Sequence, residues 1–182
     1  MSNRAFLIGS KSPTPAGRTS DGDPNYAYDT DVIAEGGSYQ LPVFWLSLFD
    51  ESHFTVHESD EYSVPTLVCD LKAALALLEQ RRVAVLSAFV GCEMHWADWE
   101  RLVSNAQTPF LKVDATEVWD LEPNSFGPAL AAAVRWFTSG APDDFNQLLG
   151  LGGIQYDFQR RRFTVAGREG KGEHLYGYVL RG

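Results

Sequence analysis

The sequence predicts an α+β fold, in which a mixed or antiparallel sheet from the N-terminal and C-terminal strands packs against central helices. Apolar residues recur at helical spacing in the middle of the chain, at 67, 68, 71, 74, 75 and 78. Short strand-like runs stand at both ends, at 4–8 and again after 154. The 182 residues are 45% hydrophobic, 13% aromatic and 21% charged, an ordinary globular composition that closes a core without disulfides or metal. Residues 1–182 therefore read as a single domain, with no internal repeat and no linker between two cores.

The opening run at 4–8 suits a buried strand. Residues 9–40 carry Gly, Pro, Ser, Thr, Asn and Asp with little periodicity, and read as one long acidic loop that Tyr26, Tyr28, Val32, Ile33 and Tyr39 give something to pack with. Structureless connections beyond ~12–15 residues are uncommon in compact domains and are often functional. Residues 41–49 are almost continuously apolar; Pro42 favours a short buried helix, with a strand as the alternative.

The clearest helix is expected at 66–82, after Pro65 and ending at Arg81 and Arg82. A second helical segment is expected at 84–105, broken near Gly91, although the opening run Val83, Ala84, Val85 and Leu86 also fits a strand. Residues 110–115 and 116–119 read as strand. A helix capped by Asn124 or Ser125 then runs to Thr138, where Gly140 and Pro142 stop it, and a short one follows at 142–149. Residues 154–158, 163–166 and 174–180 look like strands.

Charge narrows the function. The net charge is −9, from 24 acids and 15 Lys and Arg, and residues 1–61 alone hold 10 acids against 3 bases. This balance argues against general affinity for nucleic acid or anionic lipid, which clustered cations bind, and favours a basic partner. Two cysteines, Cys69 and Cys92, fit buried thiols in a reducing cytoplasm. The apolar run at the N-terminus is too short for a signal-peptide core, and no stretch reaches the ~20 apolar residues of a membrane helix.

Chemical motifs are sparse. His53 and His57, with Cys92 and His95, would make a four-ligand metal site if the fold brought them together, and would support a metal-dependent or acid/base hydrolase as an alternative function. Exposed or core-edge histidines are the commoner outcome. Asp114, Glu117, Asp120 and Glu122 are the most compact carboxylates, expected as solvated strand and turn residues. Residues 150–154 lack dinucleotide or P-loop spacing and read as a helix-to-strand turn. The run Arg160, Arg161, Arg162 reads as a tight turn or an internal partner for the acidic half. Gly-x-Ser-x-Gly is absent, and the reading is of a protein that is not an enzyme and needs no cofactor.

A small acidic domain with a tyrosine-bearing loop is what a stoichiometric inhibitor of a basic protein looks like. Asp21, Asp23, Asp29, Asp31 and Glu35 would steer encounter, and Tyr26, Tyr28 and Tyr39 would anchor the partner. In Met1, Ser2, Asn3, Arg4, Ala5, Phe6 and Leu7, in residues 41–49 and in size and acidity, the chain resembles bacterial immunity proteins of type VI secretion and contact-dependent toxin systems. That resemblance implies a cognate protein toxin, basic if it is a nuclease, bound in the cytoplasm so that its active site or the access of its substrate is blocked. It implies no direct contact with nucleic acid or membrane.

Overall fold

The computed structural model describes residues 3–17, 30–37, 39–157, 159, 160, 162–165 and 167–179. Its main sheet is antiparallel and six-stranded, in the order β3-β4-β5-β1-β2-β9. The strands are β1 (Phe6–Ser10), β2 (Thr30–Glu35), β3 (Phe54–Glu58), β4 (Ser63–Asp70), β5 (Phe110–Asp114) and β9 (Tyr178–Val179). Register sets one row of side chains across four strands: Leu67, Val113, Leu7 and Ala34, all inaccessible to solvent. This face takes the helices, as the α+β reading requires.

The helices are α1 (Leu71–Ala88), α2 (Glu93–Ser104), α3 (Thr116–Trp119), α4 (Pro123–Ser139), α5 (Pro142–Leu151) and α6 (Gly172–Tyr176). At their centre lies the 3-10 turn Val43–Leu48, whose six residues are all buried. Phe44 meets Trp96 edge-on at 5.1 Å and Phe89 at 6.0 Å, and Trp45 Nε1 donates to the Tyr176 carbonyl at 2.9 Å. The apolar stretch at 41–49 is thus a buried short helix, although of the tighter 3-10 kind.

Several boundaries differ from the sequence reading. The expected loop at 9–40 contains β2, because Val32 and Ala34 pair with Ile8 and Leu7 of β1, with Ile33 left at a bulge between them. The first five positions of the expected helix at 66–82 are strand: Thr66, Leu67, Val68 and Cys69 suit a pleated surface, and Asp70 rather than Pro65 opens α1 by accepting the Ala73 amide at 2.9 Å. Helix α1 then runs through Ala88, and the break expected near Gly91 separates it from α2. Residues 116–119 are helical, started by Asp114, whose carboxylate accepts from the Thr116 amide and hydroxyl. The expected strand at 174–180 is helical up to Tyr176, in α6, and strand only over Tyr178–Val179, as the short β9. The sheet accordingly takes three strands from the middle of the chain and one from its C-terminal part. The strands β6 (Ile154–Asp157), β7 (Arg162–Val165) and β8 (Arg168–Glu169) form a separate antiparallel sheet.

The other face of the main sheet is covered too. Ile8, Lys112, Asp114 and Thr66 point away from the helices, yet each is buried. The chain leaves β1 at Ser10 and reaches β3 at Gly17, whose backbone lies so close to the His57 ring that an added Cβ would sit 2.1 Å from Cδ2. Residues 11–17 therefore pass from β1 over β5 and β4 to β3, with bends at 11, 12 and 14 held by the Ser10 and Ser12 hydroxyls, which accept from the Ser12 and Thr14 amides at 3.1 Å. The start of the acidic segment is a strap across the sheet, with Ala16 and Gly17 buried.

Candidate functional site

Of the eight partner-binding residues expected from the sequence, Asp21, Asp23, Tyr26, Tyr28 and Asp29 lie outside the described residues. The other three do not converge. Asp31 is exposed at one end of β2, beside a shallow recess lined by Val32, Leu102, Asn105 and Thr108. Glu35, about 13 Å further along the strand, is taken up by the Arg4 guanidinium. Tyr39 is exposed and lines a groove.

Tyr39 is 57% exposed and holds φ 63°, the only non-glycine positive φ among the described residues. For a residue with a Cβ the left-handed region costs about 1–2 kcal/mol. The structure around it fixes that conformation. The Tyr39 amide donates to the Asn3 carbonyl at 2.8 Å, and Gln40 closes a turn onto the Gly37 carbonyl. Asn3 in turn reaches the Glu117 carbonyl at 2.9 Å through Nδ2, and the Leu41 amide donates to the Leu151 carbonyl at 2.9 Å. The turn is pinned between the start of α3 and the end of α5.

Between these elements runs a groove of about 440 Å³. Its floor is apolar, from Val118, Phe126, Ala129 and Leu151. Its exposed lining residues are Tyr39, Leu121, Glu122, Ser125, Gln147 and Gly150. Leu121 is 46% exposed in a polar turn, flanked by the exposed carboxylates of Asp120 and Glu122. Glu122 accepts the Ser125 hydroxyl at 2.9 Å, and neither carboxylate is in an ion pair among the described residues. An apolar slot under an acidic rim is suited to a cationic, partly apolar partner.

The alternative metal set is not assembled, and among the described residues no three His, Cys, Asp or Glu side chains come together as ligands. His53 Nδ1 accepts the Asp50 amide at 3.0 Å and completes a capping box at the turn before β3. His57 is buried under Gly17. His95 and Cys92 border a different recess with Arg162 and Gly170, and His95 packs near Tyr176. Burial, assisted by Glu93, pushes the Cys92 thiol up to about 11, and burial raises Cys69 as well, so neither is an activated thiolate.

Nor do the four compact carboxylates act together. Asp114 is buried, contrary to the expectation of a solvated residue, and is engaged by Thr116, while Glu117 accepts the Arg4 amide at 2.9 Å. The 150–154 glycines do form a helix-to-strand turn, with Gly153 at φ 60°. In the arginine run, Arg160 lies 3.8 Å from Asp157 and Arg162 faces the same aspartate across β6 and β7, as a tight turn requires.

No helix among the described residues is long and apolar enough to cross a membrane. Comparison with family models, with curated proteins and with solved structures returns no match.

Proposed function

We propose that this chain is an immunity-type inhibitor that binds a basic bacterial toxin in the cytoplasm and blocks its active site or the access of its substrate. The observation that carries this reading is the exposed Tyr39, held in a strained conformation at the mouth of an apolar groove. Strain of this kind concentrates where a side chain is used. A rigid aromatic fixed before encounter loses little further freedom when a partner docks, which is how anchor residues give affinity. The net charge of −9 adds long-range attraction for a cationic surface.

Affinity capture from the native bacterium with the tagged chain, followed by mass spectrometry, tests the reading. The expected result is one basic protein at near equal stoichiometry, toxic when expressed alone and harmless when co-expressed with this chain. A captured protein that is not toxic, or a toxin whose activity the chain leaves intact, overturns it.

A further inference from the structure

Resting on the inhibitor reading, we infer that the groove beside Tyr39 seats a short extended segment of the partner, in which one aromatic or long aliphatic side chain is flanked by lysine or arginine. Three features define this occupant. The floor of Val118, Phe126, Ala129 and Leu151 offers only apolar contact, and about 440 Å³ lies at the small end of ligand pockets, room for one large side chain and its backbone. The groove-lining residues include the Glu122 carboxylate and no cation, and Asp120 stands exposed beside it. Flanking lysine or arginine would pair with these carboxylates at a solvent-exposed rim, where such pairs set orientation and rate of encounter more than strength.

The third feature is Tyr39 itself. Glycine would adopt φ 63° without strain, so the fold is served better by a residue with no side chain. The residue is 57% exposed and lies outside the buried core cluster. Tyrosine at this position opposes stability and has its use at a surface, as the wall against which the anchor packs. Leu121, isolated in a turn of Asp, Glu, Pro, Asn and Ser and 46% exposed, is a second large apolar side chain lining the groove.

The probe is an acetylated, amidated hexapeptide with Phe-Leu between two pairs of lysines, titrated into the isotope-labelled full chain and followed by amide chemical shifts. Saturable shifts are expected at Tyr39, Leu121, Glu122 and Gly150, with affinity falling as salt rises. The same peptide with glutamates for lysines should not bind. Tyr39→Gly should weaken binding at least about tenfold while leaving the thermal midpoint equal or higher, and Leu121→Lys should weaken it similarly. Absent shifts, shifts centred on the Asp31 end of β2, equal binding of the acidic peptide, or full binding by Tyr39→Gly overturns the assignment.

The two proposals fail separately. A captured toxin that both groove variants still neutralise removes the groove and leaves the inhibitor. A groove that binds the lysine peptide in a chain that protects against no toxin keeps the site and removes the inhibitory role.

Discussion

Arg81 shows how a single charged residue can organise apolar surroundings. Its side chain is buried, stacked 4.8 Å from the Phe137 ring, and its Nη1 donates to the carbonyls of Leu46, Ser47 and Phe49 at the end of the 3-10 turn. Nη2 has no hydrogen-bond partner among the described residues. Burial lowers the guanidinium to about 10, with Asp50 opposing, so the charge is held at a cost that the three carbonyls offset. Arg81→Met keeps the apolar stem and strands those carbonyls. A loss of ~2–4 kcal/mol is expected from the urea midpoint, with an unchanged slope. A second residue-scale prediction concerns acid. Arg135 grips Asp144 with Nη2 at 2.7 Å and Nε at 3.1 Å, and Ser139 adds its hydroxyl at 2.9 Å. The hydrogen bonds from Arg135 hold the Asp144 carboxyl below its ordinary 3.8. A carboxyl with a depressed folded value stabilises the fold above its unfolded value, and that contribution disappears as pH falls through the folded one. Asp144→Asn should be less stable at pH 7 and should lose stability less steeply below ~pH 4 in acid unfolding followed by circular dichroism. Equal acid slopes for the two proteins would remove Arg135 as the cause.

Among elements, helix α1 shows what periodicity leaves open. Apolar spacing at 67, 68, 71, 74, 75 and 78 fits a helix throughout, yet the first two positions belong to β4. The local signal for the boundary was Asp70, a residue whose carboxylate can take the place of a missing carbonyl at the helix start. Replacing it tests that boundary: Asp70→Ala should cost about 1 kcal/mol, read from thermal unfolding, whereas an aspartate in mid-helix would cost nothing when replaced by a better helix former. Residues 116–119 carry a strand-like pattern, yet their helical turn follows the Asp114 carboxylate two residues upstream, a local signal in sequence whose burial comes from the fold. Elements with a clear stop, such as α4 and α5 around Gly140, are legible even though α4 holds Pro128 in its interior, because the breaker itself adopts the left-handed conformation at the helix end. The candidate site was legible only in part. Tyr39 stood out as an aromatic in an acidic segment, but its backbone conformation comes from contacts with Asn3 and the turn at Gly37, far from it or invisible in sequence. Leu121 carried an unused signal, as a lone large apolar residue between Asp120 and Glu122 ahead of Pro123.

At the scale of the molecule, the question is whether the small sheet is a satellite or part of one folding unit. Ile154, Phe163 and Val165 from β6 and β7 belong to the same buried cluster as Leu7, Leu67 and Val113 of the main sheet. The two are bridged by Phe89, whose ring lies 6.0 Å from both Phe44 and Tyr156 and 5.6 Å from Phe145. Glycines enforce the closeness: an added Cβ at Gly170 would fall 1.9 Å from the Phe163 ring, and one at Gly172 would fall 2.7 Å from His95 Nδ1. The strands of the small sheet are only 4, 4 and 2 residues long, and their apolar residues Ile154, Phe163 and Val165 are buried by this shared core rather than within that sheet. Because Trp45, Trp96 and Trp99 are all fully buried in that core, tryptophan fluorescence reports its loss while far-ultraviolet circular dichroism reports the sheets and helices. The two signals should fall together in urea as one transition, and Phe163→Ala should shift both midpoints equally, by ~3–4 kcal/mol of stability. If the Phe163→Ala protein instead showed an early, partial change in circular dichroism with fluorescence unmoved, the small sheet would be an independently melting unit and the single core would be wrong.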